Sequence, residues 1–176
     1  MANPQTYCDF VQTLPLTDLH RIYHDTAYGF PIDSDDELFE RLVLEINQAG
    51  LSWNTILKKQ VNFRRAFDNF SISKVASYTE ADRTRLLSDA GIIRNRLKVE
   101  AAIYNANVIL TIKKEFGSFK KWLDLHASSS KDEWVRLFKK TFHFTGGEIV
   151  NEFLMSTGYL LGAHASSCPI YSTLLR

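Results

Sequence analysis

The sequence has little cysteine, little net charge and no long hydrophobic run, and each of these absences excludes a class of protein. Only two cysteines occur among 176 residues, which excludes a disulfide framework, and a chain of this length needs none to build a core. The formal net charge of +1 excludes a strongly basic nucleic-acid coat but leaves room for a local basic face. No run of about 18 apolar residues and no signal-like start occurs, so we expect a soluble cytoplasmic protein without a membrane partner.

Helical periodicity is the main structural signal along the chain. Apolar residues recur at three- and four-residue spacings behind capping residues, whereas the alternation typical of strands is rare, so the sequence predicts an all-α fold. No internal repeat or low-complexity segment divides the chain, and its length fits a single domain over residues 1–176. Helices are predicted at about 35–49, 53–66, 73–77, 80–88, 95–114, 118–126, 131–141 and 147–160, with a short helical signal near 17–23 and an irregular tail at 161–176.

Residues 44–53 combine a carboxylate with an apolar helical face. A capping-box pattern at 34–37 opens the helix, and the apolar stripe that follows places Glu45 on its buried side. A carboxylate in that position has to be paired, hydrogen-bonded or open to a cavity, because burying it bare is costly. Gly50 is typical of the residue that follows a helix, and a second helix carrying Trp53 is predicted directly afterwards. The alternative interpretation is a glutamate at the edge of the core beside a packing tryptophan.

A glycine turn between two predicted helices forms a second candidate site. Gly91 allows a tight turn, and Ile92 and Ile93 anchor that turn in the core. The arrangement places backbone N–H groups and a helix N-terminus at the surface, which suits an anion such as a DNA phosphate. Positive charge surrounds the turn at Arg94, Arg96 and Lys98. The segment resembles a helix-hairpin-helix; the alternative is a plain helical hairpin with a solvated basic rim.

Cysteine and histidine residues near the two ends of the chain form a third candidate site. Cys8 and His24 lie near one end, and His164 and Cys168 form a His-x₃-Cys pair near the other. Two cysteines and two histidines complete a tetrahedral shell for structural zinc and leave no position for a substrate. His20 is an alternative to His24, and two unconnected thiols with ordinary surface histidines are the alternative to any metal site.

Four segments, taken in order, resemble the DNA-3-methyladenine glycosylase I (Tag) family of helix-hairpin-helix glycosylases. The similar motifs are YHD at 23–25 with Gly29 and Pro31, LE at 44–45 with QAGLSW at 48–53, DAGIIRNR at 89–96 with Lys98, and His164-x₃-Cys168 with Cys8. The resemblance is close over about residues 8–120 and looser over 142–168. The middle two motifs are highly specific, because both are long and they occur in the family's order.

The resemblance implies an all-helical enzyme that removes 3-methyladenine from DNA as a monofunctional N-glycosylase. It implies a structural Zn²⁺ held by Cys8, His24, His164 and Cys168, in a lobe formed by residues 1–32 and 117–176. The lobe at about 33–116 would carry the hairpin. Glu45 would be the catalytic candidate in a base pocket with Tyr23 and Trp53, next to the aromatic positions Phe10 and Tyr28. The implied DNA contacts are Gln48, Gly50 and Leu51 at the gap left by the flipped base, and Gly91, Ile92, Arg94, Arg96 and Lys98 at the phosphates.

Two aromatic positions depart from the family pattern. Phe10 and Tyr28 stand where the family usually has tryptophan, and both belong to the aromatic neighbourhood of the implied pocket. The main hypothesis is therefore a 3-methyladenine glycosylase acting as a monomer on DNA that contains alkylated bases. The alternative is a catalytically weak or inactive protein of the same fold, stabilised by zinc, that binds damaged DNA.

Overall fold

Helices joined by short turns account for most of residues 6–174, the part of the chain that this computed structural model describes. Within that part there is no β-strand, which confirms the all-α prediction. A short 3-10 helix at Asp68–Phe70 joins the fourth and fifth helices. The α-helices are α1 (Tyr7–Gln12), α2 (Leu19–Thr26), α3 (Asp35–Gln48), α4 (Trp53–Ala66), α5 (Ile72–Ala76), α6 (Glu80–Ser88), α7 (Arg96–Phe116), α8 (Phe119–Leu125), α9 (Lys131–Thr141), α10 (Gly147–Ser156) and α11 (Tyr171–Leu174).

Most predicted helices are confirmed to within one or two residues, and the differences lie towards the chain ends. The sequence did not predict α1, which has only six residues and is started by a capping box between Thr6 and Asp9. The predicted helix at 147–160 ends at Ser156, because Gly158 takes a left-handed conformation (φ +81°). A Cβ on Gly158 would lie 3.2 Å from the carbonyl oxygen of Gly29, so the close approach of these two segments favours glycine.

The central helix α3 is covered on all sides. Every residue from Leu38 to Asn47 is buried, and the helix packs against α4, α7, α8 and α10. The predicted stripe therefore underestimated the burial of this helix, and polar residues such as Arg41 are enclosed together with the apolar ones. The cap at Ser34 is present, since its side chain accepts a hydrogen bond from the backbone of Glu37. The return bond of the predicted capping box is not among the hydrogen bonds of the described residues.

No helix in residues 6–174 is both long enough and apolar enough to span a bilayer.

Candidate functional site

A cavity of about 250 Å³ opens where five helices and one loop meet. Glu45 and Gln48 come from α3, and Trp53 is the first residue of α4. The remaining walls are supplied by α1, α2, the loop after α2, and α10. The seven lining residues are Tyr7, Tyr23, Tyr28, Glu45, Gln48, Trp53 and Glu152. The fold thus brings together four of the five predicted base-pocket residues, which lie up to 30 positions apart in sequence, and combines aromatic faces with carboxylates.

The carboxyl group of Glu45 is buried, with only 4% of the residue exposed. Burial raises its pKa to about 8; the nearby Arg41 guanidinium opposes this rise and the Glu152 carboxylate adds to it. None of the described residues donates a hydrogen bond to this carboxyl group. Glu45 is therefore mostly protonated at pH 7 and offers its hydrogen-bonding capacity to whatever enters the cavity.

Tyr23 and Trp53 form adjoining aromatic walls. Their ring centroids are 5.2 Å apart with an interplanar angle of 53°. Arg41 holds Tyr23 from behind, because its Nη1 donates to the tyrosine hydroxyl (3.1 Å) and to the carbonyl oxygen of Ser156 (3.0 Å). The indole nitrogen of Trp53 is buried and has no hydrogen-bond partner among residues 6–174. Such an unpaired buried donor is costly, so it is a feature that a bound polar group would relieve.

The sequence interpretation missed two of the lining residues, Tyr7 and Glu152. Tyr7 packs edge-on against Tyr28, with ring centroids 5.5 Å apart, and the Tyr28 hydroxyl donates to Glu152 at 3.4 Å. Burial raises the pKa of Glu152, so the cavity contains two carboxyl groups with raised pKa values. Tyr7 directly precedes Cys8 as Tyr23 precedes His24, a parallel that was available in the sequence. No local pattern marks Glu152.

Phe10 does not border the cavity, which corrects its prediction as a pocket residue. Its ring lies 6.3 Å from that of Tyr7 and 5.5 Å from that of His20. Phe10 is on the helix turn after Tyr7, and the two rings stack, so Tyr7 takes the position at the cavity and Phe10 supports it. Tyr28, the other departure from the family pattern, does line the cavity.

The four predicted metal ligands converge, and all of them are buried. Cys8 and His24 come from α1 and α2, whereas His164 and Cys168 come from the segment after α10. The His24 Nε2 atom lies 3.1 Å from His164 Nδ1 and 3.4 Å from Cys8 Sγ. The Cys168 Sγ atom lies 3.6 Å and 3.5 Å from the same two nitrogens. One metal ion could bind among these four atoms, and His20, the alternative ligand, is not part of the cluster.

The outer hydrogen bonds of this cluster suit metal binding. Asp25 pairs with His24 Nδ1 at 2.7 Å, and His164 Nε2 donates to the carbonyl oxygen of Tyr28 at 2.7 Å. Each bond leaves the other ring nitrogen directed at the cluster. Burial raises the pKa of the Cys8 thiol, and the backbone N–H of Ala165, which donates to Cys8 Sγ at 3.4 Å, opposes this rise. The bond to Tyr28 links the cluster directly to one wall of the cavity.

The predicted DNA-contact turns lie at the surface. Gly50 has φ +80° and is exposed, and Leu51 follows it with 39% exposure. At the hairpin, Arg94 and Arg96 are exposed whereas Ile92 is buried. Gly91 is needed there for space rather than for a left-handed turn. A Cβ at position 91 would lie 2.9 Å from Asp89 Oδ1 and 3.2 Å from the Cβ of Asn62 on α4.

Lys98 is not part of an exposed basic rim, contrary to its prediction. It is buried, and its Nζ atom donates to the carbonyl oxygens of Asn47 (2.9 Å) and Ala49 (2.7 Å). These carbonyls lie at the C-terminal end of α3, where cations are stabilised. Lys98 therefore ties the hairpin helix α7 to the turn that contains Gly50 and Leu51.

A second cavity, of about 360 Å³, is also bordered by Tyr23. Its buried acid, Glu40, already accepts hydrogen bonds from Arg64 (2.8 Å) and Gln60 (3.0 Å). Because this carboxylate is satisfied by the protein, the cavity that contains Glu45 is the better candidate for a reactive site.

The family model for methyladenine glycosylase matches residues 14–136. The DNA-3-methyladenine glycosylase 1 of Escherichia coli K12 is 34% identical over 183 residues, covering 93% of this chain and 96% of the relative. A solved structure of 3-methyladenine DNA glycosylase I from Staphylococcus aureus, described as showing how that enzyme recognises 3-methyladenine, has a TM-score of 0.83 at 30% identity. The match covers 96% of this chain and 97% of that one. A variant of 3-methyladenine DNA glycosylase I in complex with 3-methyladenine has a TM-score of 0.81 at 32% identity, covering 88% and 93%.

Proposed function

Because the chain belongs to the methyladenine glycosylase family, we propose that it hydrolyses the N-glycosidic bond of 3-methyladenine in DNA, the first step of base excision repair. The observation that supports this most directly is the Glu45 carboxyl group, which receives no hydrogen bond from residues 6–174 and lies in a cavity walled by aromatic rings. At about 250 Å³ the cavity is slightly smaller than the roughly 300–1,000 Å³ of drug-sized pockets, which suits a single flipped base.

Each pocket group has a role in this proposal that follows from its chemistry. 3-Methyladenine in DNA is a cation, and the face of Trp53 is suited to stack on a cationic ring. A cationic base next to Glu45 favours the ionised carboxylate, which then accepts hydrogen bonds from the base edge and complements the positive charge. Tyr23, held by Arg41, adds a second hydrogen bond and keeps the base in one orientation.

A cationic base leaves with the electron pair of the glycosidic bond and becomes neutral, so its departure needs no proton from an acid. Water supplies the hydroxyl group to the sugar carbon and releases a proton. The protein then has to hold the flipped base and sugar in a dry, oriented site, and this preorganisation accounts for the rate. Glu45 is the catalytic candidate because it is the buried carboxyl group of the pocket and would contact the base directly.

The DNA would be held at two surface turns. Gln48, Gly50 and Leu51 would enter the space left by the flipped base, and the half-exposed Leu51 is the apolar residue suited to fill it. The turn at Gly91 and Ile92 would place backbone N–H groups and Arg94 and Arg96 at the phosphates. Lys98 would act indirectly by joining these two turns.

We propose Zn²⁺ as the ion of the buried cluster. A tetrahedral zinc with bonds of about 2.0 Å to nitrogen and about 2.3 Å to sulfur has N–S edges of about 3.6 Å and an N–N edge of about 3.3 Å. The N–S distances in the cluster are 3.4–3.8 Å and its N–N distance is 3.1 Å. Four protein ligands complete the shell, so the ion would fasten the two chain ends without taking part in the reaction.

The pocket lies between the two lobes that we propose. Glu45, Gln48 and Trp53 belong to the lobe at 33–116, whereas Tyr7, Tyr23, Tyr28 and Glu152 belong to the lobe built from 1–32 and 117–176. Because one chain supplies the complete pocket, we propose that the protein acts as a monomer.

The proposed reaction is tested by incubating the purified protein with methylated DNA and measuring the released bases by chromatography. We expect release of 3-methyladenine, and we expect the Glu45→Gln variant to release it more slowly while keeping its fold. If wild-type protein binds duplex containing an abasic-site analogue but releases no base above a heat-inactivated control, the glycosylase hypothesis is wrong. The protein is then one that binds damaged DNA without catalysis.

A further inference from the structure

The loop between α9 and α10 holds an exposed aromatic residue in an unfavourable backbone conformation. Phe144 has φ +60°, a region that side-chain-bearing residues other than Asn and Asp rarely adopt, and 39% of the residue is exposed. Core packing alone does not account for this cost, because the residue is only partly covered by the protein. A strained, exposed residue of this kind points to a binding role.

The loop is held rigidly by buried polar residues. Asn105 on α7 is fully buried; it accepts a hydrogen bond from the backbone N–H of His143 (2.8 Å) and donates one to the carbonyl oxygen of the same residue (3.1 Å). The buried Thr145 hydroxyl lies 3.0 Å from the carbonyl oxygen of Phe138 and 3.2 Å from that of Phe142. The backbone on both sides of Phe144 is thereby fixed before any ligand binds.

A second pair of rings lies next to Phe144. His143 stacks face to face on Tyr104 of α7, with ring centroids 3.5 Å apart and an interplanar angle of 2°. Both residues are exposed. We call Tyr104, His143 and Phe144 the aromatic shelf.

The aromatic shelf lies close to the turn that contains Gly50 and Leu51, and α7 connects it to the hairpin. The Lys98 Nζ atom is 5.9 Å from the centroid of the Phe144 ring and 2.7 Å from the carbonyl oxygen of Ala49, at the start of the turn containing Leu51. On the other side, Leu97 and Tyr104 are both exposed and lie seven residues apart on one face of α7, about 10 Å along the helix. That face leads from the hairpin to the shelf.

We propose that the aromatic shelf binds the DNA strand beside the flipped-out base, with Phe144 stacking on a base next to the gap. Aromatic side chains stack on any base, so this contact would add affinity without sequence preference. A groove of about 530 Å³ beside Phe144 is bordered by the exposed Lys139, which suits a neighbouring phosphate. The proposal extends the proposed function, since it places the shelf on the DNA that the enzyme would bind.

The test measures the affinity of Phe144→Ala for a duplex containing a tetrahydrofuran abasic-site analogue, by fluorescence anisotropy over a range of salt concentrations. We expect Kd to rise about 5- to 150-fold, the equivalent of one lost base–aromatic stack. The slope of log Kd against log salt should stay unchanged, because no charge is removed. The exposed Leu125→Ala is the matched control and should bind like wild type. A Phe144→Ala affinity within twofold of wild type overturns the proposal.

Two further variants separate stacking from loss of fold. Phe144→Tyr should restore the wild-type affinity. Phe144→Asn relieves the left-handed strain, so its Tm should equal or exceed that of wild type although DNA binding weakens. If the Tm of Phe144→Asn is below that of wild type, the Phe144 ring stabilises the core. That result would overturn the proposal that the ring is available to stack on DNA.

The affinity for free 3-methyladenine distinguishes failure of this proposal from failure of the proposed function. If wild type and Phe144→Ala bind the free base equally and differ only on duplex, the shelf contacts DNA outside the pocket. If wild type neither binds nor releases the base, the proposed function fails, whereas the comparison on abasic duplex still decides the role of Phe144.

Discussion

Replacing Glu45 with glutamine should stabilise the protein and weaken its activity at the same time. The pKa of Glu45 is 4.5 in an ordinary setting and about 8 in the folded protein, where burial penalises the carboxylate. The folded state therefore holds this proton more tightly than the unfolded chain does. As the pH rises above 4.5 the unfolded chain ionises first, and the native state loses stability until the pH reaches about 8.

The size of the effect follows from this pH window. Each pH unit between 4.5 and 8 costs the native state about 1.4 kcal/mol, so the cost is about 1 kcal/mol at pH 5 and about 3 kcal/mol at pH 7. Glutamine has nearly the same shape and does not ionise. The free energy of unfolding of Glu45→Gln should therefore exceed that of wild type by about 3 kcal/mol at pH 7, but by only about 1 kcal/mol at pH 5.

Urea unfolding at the two pH values measures the difference directly. Contributions from the metal cluster occur in both proteins and cancel when the variant is compared with wild type. The exposed Glu115→Gln serves as the control and should show little change at either pH. Base release by Glu45→Gln should fall about 10- to 100-fold, the loss expected for a hydrogen bond to a charged group. A variant that is no more stable than wild type at pH 7 would refute the claim that Glu45 is a buried, unsatisfied acid.

Three further predictions concern groups around the pocket. Lys98→Met should lower the free energy of unfolding by about 1–3 kcal/mol, because two carbonyls at the end of α3 lose their donor. Arg96→Ala, at an exposed position, should leave this free energy nearly unchanged. If urea unfolding shows equal effects for the two variants, the buried role of Lys98 is contradicted. Wild-type protein should contain one zinc ion per chain, measured by emission spectrometry, and Cys168→Ser should contain less zinc and have a lower Tm. Wild-type protein that contains no metal would contradict the proposed zinc site. Glu152→Gln should lower the pKa of Glu45 below about 8, measured by carboxyl NMR titration, since the Glu152 charge raises it; an unchanged pKa would contradict this coupling.

The predictions made from sequence succeeded where the signal was local or where a motif was long. Helix bounds at 53–66, 80–88 and 131–141 were confirmed, because capping residues and apolar periodicity act within a few positions. The burial of Glu45 also followed from periodicity, since residues at helical spacing share one face. The family was identified from contiguous motifs such as QAGLSW, and the methyladenine glycosylase match bears this out.

The predictions failed where position in space decides the outcome. Lys98 sits in a basic segment, yet it points into the protein because the end of α3 lies within reach of its side chain. Phe10 was predicted to line the cavity, but Tyr7, one helix turn earlier, lines it instead. The packing of α1 decides which of its faces borders the cavity. No sequence pattern predicted Glu152 as a cavity residue. Its carboxylate lines the cavity only because α10 packs against α3 in the folded protein.

The sequence by itself determined the all-α class, most of the helices and the buried glutamate, because periodicity and caps act locally. The four residues of the metal cluster were predicted by resemblance to a family motif, and spacing alone left His20 as an alternative to His24. Only the tertiary structure decided that Cys8 and Cys168 meet across 160 residues, and that Glu45 lies in an aromatic cavity without a hydrogen-bond partner in the described part of the chain. It also decided that the Phe144 ring lies 5.9 Å from the Nζ atom of Lys98, the residue that ties α7 to the end of α3. Contacts between distant segments depend on how helices pack, and that packing is set by the whole core at once.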